Sequence, residues 1–195
     1  MAEQTPPPEP IVTPRLDLVS MSAAFLAASL AGDRAAAERE LGAAVPDEWL
    51  AEAPIMQIFL RKLAEGQAAA PWLARAAVLR GAGAMIGHCG FHGPPGATYL
   101  EPYAPGGAEM GYTIFAAHRR RGYATEAVRG LMGWAAARGV PTFVLSISPE
   151  NTPSQAIARR LGFRLVGSHM DPEDGLEEIF ARPPLEAEPA AEGAR

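Results

Sequence analysis

The chain has 195 residues, of which 48% are hydrophobic and 20% charged, and a formal net charge of −5. That length suits one domain with a full core, and the composition is that of a globular protein. The acidic balance argues against a nucleic-acid binder, which carries a basic face. The single cysteine, Cys89, excludes an internal disulfide. No apolar run reaches the roughly 18 residues a membrane helix needs, since Arg80 and His88 interrupt the longest candidate.

Residues 1–10 read as a Pro-rich tail without the basic and apolar regions of a secretory signal, so a cytoplasmic location is expected. Residues 186–195 read as an acidic tail, which leaves 11–185 as the folded domain. From Ile11 to Val19 the pattern predicts one strand, with Leu16 and Leu18 on alternate positions. Residues 21–65 carry apolar side chains at helical spacing, broken at Gly32, Gly42 and Pro46. Trp72 to Leu79 and Ala84 to Phe91 read as a hairpin around Arg80–Gly83. A long Gly- and Pro-rich loop, 93–107, follows, and loops of that length are often functional or mobile.

Glu109 to Phe115 reads as the next strand. The helix from Tyr123 to about Arg138 has an apolar stripe through Ala127, Val128, Leu131 and Ala135. Thr142 to Ile147 reads as a buried strand. The next helix is expected to start with Thr152 as N-cap and Pro153 at the first position, and to stop at Gly162. Phe163–Val166 and Leu176–Ala181 close the list as strands. Strand, helix and strand from Glu109 to Ile147 predict a parallel pair within a mixed α/β sheet.

The turn His118-Arg119-Arg120-Arg121-Gly122-Tyr123-Ala124-Thr125-Glu126 joins that strand to that helix. A helix start leaves backbone N–H groups without partners, and its dipole favours an anion. Gly122 permits a tight turn and close approach, and arginines match phosphate oxygens. The turn therefore predicts a pyrophosphate cradle, with a solvated arginine-rich helix entry as the alternative. Gly81–Gly87 has a dinucleotide-like spacing one residue too long, with a strand after it, and reads as a hairpin turn. His88 and His92 share a strand face about 13 Å apart, too far to bridge one zinc, so no metal is expected. Either could line a substrate site. Cys89 reads as a buried apolar residue, and Trp134 as core. Trp49, Phe59 and Trp72 are open between core and pocket.

These residues resemble the GNAT superfamily of N-acetyltransferases. The resemblance rests on Arg119, Gly122 and Ala124, within the run Glu109-Met110-Gly111-Tyr112 … Arg121-Gly122-Tyr123-Ala124-Thr125-Glu126. Thr13-Pro14-Arg15-Leu16 and Asn151-Thr152-Pro153-Ser154 … Arg160-Leu161-Gly162-Phe163 extend it, so that it covers roughly 12–182. The branch most resembled is that of ribosomal-protein N-terminal acetyltransferases. The resemblance implies an α/β (α+β) fold with one mixed, mostly antiparallel sheet of six or seven strands and helices on both faces. It also implies acetyl-CoA as co-substrate, its pyrophosphate held at Arg119, Arg120, Arg121, Gly122, Tyr123, Ala124 and Thr125. The pantetheine arm would lie between Tyr112, Thr113, Ile114 and Phe115 and the backbone of 144–147, helped by Asn151. Ser154 would sit near the sulfur and protonate the thiolate, with helix capping as the alternative. Glu109 is the candidate general base, since acetyl transfer needs a neutral amine; a structural glutamate is the alternative. The acceptor would be a primary amine, on a protein N-terminus or a small molecule, attacking directly in a ternary complex. A homodimer is compatible with this. The rival readings are a non-catalytic acyl-CoA-binding regulator on the same fold and a nucleotide-binding module at Gly81–Gly87.

Overall fold

The computed structural model describes residues 8–66, 70–171 and 175–183. The expected tails lie largely outside the described residues. Among the described residues, eight strands form a sheet in the order β1-β2-β3-β4-β5-β6-β8-β7. They are β1 (Ile11–Val12), β2 (Leu16–Ser20), β3 (Arg75–Leu79), β4 (Ala84–Phe91), β5 (Ala108–Ile114), β6 (Phe143–Ile147), β7 (Arg164–Asp171) and β8 (Gly175–Arg182). The helices are α1 (Ala23–Leu30), α2 (Arg34–Leu41), α3 (Asp47–Leu50), α4 (Ala53–Ala64), α5 (Tyr123–Ala136) and α6 (Thr152–Arg160). The fold is the expected mixed, mostly antiparallel α/β one, with a slightly larger sheet.

The extra strand comes from the first segment, where one strand was expected. Thr13 and Leu16 bond to each other through backbone and hydroxyl, which folds the chain at Pro14 into the β1–β2 hairpin. The breaks expected in 21–65 hold: Gly42 ends α2 in the left-handed region at φ 73°, and Gly32, at φ 70°, separates α1 from α2. The start of α6 differs by one residue. Asn151, not Thr152, is the N-cap, its side chain accepting from the Ser154 N–H at 3.2 Å.

The core divides across the sheet. On one face Leu131, Val128 and Ala127 of α5 and Ala158 of α6 pack with Leu18, Ile86, Met110 and Phe143. On the other, Phe25, Leu26, Trp49 and Met56 of α1, α3 and α4 pack with Ala76, Met85 and Phe115. Trp49 is fully buried there, stacked on Phe25, so it is core. Trp72 meets Phe91 and Trp134 edge-on, again as packing. Gly83 turns the β3–β4 hairpin and β4 follows directly, so no helix stands where a dinucleotide would need one.

β5 and β6 are parallel but paired only at Ala108↔Phe143 and Glu109↔Val144. Beyond that, among the described residues, β5 bonds to β4 alone and β6 to β8 alone, so the sheet opens along a seam.

Candidate active site

The seam leaves backbone groups unpaired in a definite pattern. His92 N–H donates to Glu109 C=O, and Phe115 N–H to Ile86 C=O. In antiparallel alternation this turns residues 109, 111, 113 and 115 towards β4. The N–H groups of Tyr112 and Ile114 therefore point into the opening. The Ile114 carbonyl accepts from the Arg119 Nε at 2.8 Å, which folds that side chain back against the strand.

At the far end of the seam the chain turns into α5. Gly122, at φ 82°, caps the helix, and Arg120 is left-handed at φ 58°, a conformation that costs a non-glycine residue energy. Among the described residues, no backbone hydrogen bond uses the N–H groups from Arg120 to Thr125; the first, from Glu126 N–H, reaches Gly122 C=O. Free N–H groups on a backbone whose φ alternates in sign have the form of a nest, a shape that can hold an anion. A cavity of about 570 Å³ adjoins it, lined by Arg15, Gly122, Thr125, Arg129 and Arg160 among others. Tyr123 is buried beneath the Arg15 guanidinium, 4.4 Å from its ring centre, so its side chain is packing. Phe115 likewise points into the core.

At the near end lies a second cavity of about 830 Å³, lined by Lys62, Glu65, His92, Tyr99, Glu109 and His169 among others. Glu109, 4% exposed, lies at its buried side. Its Oε2 is 3.1 Å from His92 Nδ1 and accepts from the Tyr99 hydroxyl. Burial pushes the Glu109 carboxyl up, but the hydrogen bond and charge of His92, with Ser146 and His169, outweigh it and hold the pKa below the ordinary range. The His92 ring lies over Gly111; a Cβ there would stand 2.9 Å from Nε2, so the glycine makes room for it. Lys62 donates to the His92 carbonyl at 2.6 Å and ties α4 to the rim.

His88 has a different place. It is 7% exposed among Trp49, Phe59 and Phe115, with Nε2 3.4 Å from Glu52. Cys89 is buried, and desolvation raises its thiol to about 12, which leaves it unreactive. Asn151 uses its carbonyl oxygen on the α6 cap, and Ser154 sits in the first turn.

A model of the acetyltransferase (GNAT) domain matches residues 16–164, most of the chain. The chain is a GNAT acetyltransferase. It is thus an acetyl-CoA-dependent acyltransferase, with acetyl-CoA as co-substrate. No curated protein sequence matches it. Among solved structures it is similar to a Vibrio cholerae protein named as a candidate ribosomal-protein-serine acetyltransferase, with 20% identity, 92% of this chain and 100% of that one covered, and TM-score 0.61. It is similar to RimL, a ribosomal L7/L12 alpha-N-protein acetyltransferase in complex with coenzyme A, at 19% identity, 90% and 98% coverage and TM-score 0.60. It is also similar to the microcin C7 self-immunity acetyltransferase MccE in complex with acetyl-CoA and AMP, at 16% identity, 92% and 97% coverage and TM-score 0.59. At these identities the likeness is one of fold.

In this GNAT acetyltransferase Glu109 stands near the start of β5, the seam runs beside the rest of that strand, and the turn into α5 follows its end. One partner in the site carried no pattern of its own in the sequence. Tyr99 sits in the 93–107 loop, whose length alone marked it. The Thr13–Arg15–Glu126 cluster joins two of the motifs that carried the family resemblance: Glu126 accepts from Thr13 Oγ1 at 2.7 Å, from Arg15 N–H at 2.6 Å and from Arg15 Nε at 2.7 Å.

Proposed function

We propose that this enzyme transfers the acetyl group to a primary amine, on a protein N-terminus or a small molecule, by direct attack in a ternary complex. The pantetheine arm lies in the seam between Tyr112–Phe115 and 144–147, bonding the unpaired N–H groups as a strand would. The pyrophosphate takes the nest from Arg119 to Thr125, and Asn151 borders the arm. The observation that carries the reading is the buried carboxylate of Glu109 at one end of the seam, facing an acceptor-sized cavity.

A carboxylate held below the usual range is a poor match for an ammonium proton. The Glu109–His92 pair meets the need. In its neutral form His92 can donate Nδ1–H to Glu109, which leaves the Nε2 lone pair, further along β5 over Gly111, to take the proton. The amine then attacks the thioester carbonyl. The oxyanion that develops is met by the Ile114 N–H, already fixed in the opening. Ser154 stands beside the departing sulfur. The β7 edge leaves Leu165, Val166 and Met170 exposed, which supports a homodimer of two copies paired there; sedimentation velocity checks it.

A panel of primary amines, peptides with free N-termini among them, assayed for free coenzyme A thiol tests the reading. Turnover with at least one primary amine is expected. Acetyl-CoA binding without turnover across the panel would overturn it.

A further inference from the structure

The hydroxyl of Tyr112 is buried and among the described residues has no hydrogen-bond partner. Leaving a buried hydroxyl unpaired costs about 1–3 kcal/mol, so its place needs a reason. Tyr112 stands three residues past the last β5–β6 pair, beside the seam. It alternates with Glu109, so it faces the opposite side of the sheet. There it packs in the cluster that includes Ile157, Ala158 and Leu161 of α6 and its end. Ser154, one turn earlier, is on the same face of that helix. Burial raises the Tyr112 pKa, and Ser154 is near enough to pull against that rise while lying outside hydrogen-bond geometry.

The chemistry says what such a pair is for. A departing thiolate has a conjugate acid of pKa about 8.5; a phenol, about 10 in water and higher when buried as here, is still far nearer to it than an aliphatic hydroxyl. An aliphatic hydroxyl such as that of Ser154 is a far weaker acid and cannot be the proton's source by itself. We propose that Tyr112 supplies the proton taken by the coenzyme A thiolate, passed through the Ser154 hydroxyl. The inference rests on the placing of the cofactor sulfur beside Ser154 given above. When the tetrahedral intermediate collapses, the C–S bond breaks and its electron pair goes to sulfur. Sulfur takes the Ser154 proton as the Ser154 oxygen takes that of Tyr112. The phenolate regains a proton from water through Ser154 once coenzyme A has left. The proton from the amine leaves on the other face, through His92 and Glu109.

Tyr112 acts through Ser154 and is a positioning residue in the cofactor's thiol site. The test is the titration of bound coenzyme A, followed by thiolate absorbance, in the wild type, Tyr112→Phe and Ser154→Ala. A hydroxyl chain that donates to the thiolate stabilises it, so either substitution should raise the bound thiol pKa by about one unit. Thermal stability should change little in Tyr112→Phe. Equal thiol pKa values in all three proteins would overturn the proposal. With an acceptor in hand, Tyr112→Phe should lower kcat at least about 10-fold with KM for acetyl-CoA unchanged, and the double variant should be no slower than the slower single. An unchanged kcat, or purely multiplicative losses, would also overturn it. The thiol titration needs no acceptor, so failure of every amine would count against the acceptor reading and leave this result standing. If Tyr112→Phe does not fold, 3-fluorotyrosine in place of Tyr112, a stronger hydrogen-bond donor, should lower the bound thiol pKa, and an unchanged value would overturn the proposal.

Discussion

Gly122 and Glu109 mark the two ends of the seam, and each yields a test. Gly122 holds φ 82° with the Arg15 guanidinium 3.4 Å from where a Cβ would stand. Gly122→Val both strains the turn and crowds the nest, so acetyl-CoA affinity should fall below detection by calorimetry while the fold persists. Glu109→Gln keeps shape but stops the carboxylate from fixing His92. The rate at pH 7 should drop about 10²-fold, with the deficit shrinking as pH nears the amine's own pKa. Identical pH–rate profiles for both forms across pH 6–9 would show Glu109 to be structural. Both residues were legible in the sequence because a glycine at a strand–helix turn and a carboxylate at a strand start have chemistry of their own. His92 was visible as a histidine, but its pairing with Glu109 depends on the β4–β5 register, which no local pattern carries.

At the scale of elements, the Thr13–Arg15–Glu126 cluster clamps the β1–β2 turn to the first turn of α5, where a carboxylate also suits the helix dipole. Burial pushes the Glu126 carboxyl up, but Thr13 and Arg15 together hold it below its ordinary value. Its folded pKa therefore lies under the unfolded value of about 4.3. The stabilisation is full above about pH 4.3 and lost as pH falls through the folded pKa. Glu126→Gln should flatten the acid side of the stability–pH curve and cost about 1–2 kcal/mol at pH 7, measured by urea denaturation. The periodicity of the chain revealed nearly every strand and helix, because half-buried elements alternate their side chains visibly. It missed the fold at Pro14, where a two-residue strand is too short to show a period, and it placed the α6 cap one residue late, because Asn, Thr and Ser all compete for that role. The cavity beside Glu109 was beyond reach, since its walls come from α4, the 93–107 loop and the β7–β8 hairpin, which meet only in three dimensions.

For the whole molecule, the boundary at the start of the domain bears on a buried charge. Arg75 is fully buried, its pKa lowered to about 10 by desolvation. It donates to the carbonyls of Leu18 at 3.2 Å, Pro71 at 2.9 Å and Glu9 at 3.3 Å. Removing residues 1–7 and 186–195 should leave the melting temperature unchanged. Starting the chain at Ile11 should still give a folded protein but deletes the Glu9 carbonyl, and a loss of about 1 kcal/mol, a few degrees in Tm, is expected by calorimetry.

The seam between β5 and β6 has a consequence in time as well as in space. The amide hydrogens of Tyr112 and Ile114 belong to a central strand, yet no neighbouring strand shields them. In the free enzyme they should exchange with deuterated solvent far faster than those of Gly111 and Thr113, which β4 holds. Saturating acetyl-CoA should slow that pair selectively, so that the exchange record of one strand reports residue by residue whether the cofactor has completed the sheet. Uniform exchange along β5, with or without the cofactor, would show the seam to be closed in solution.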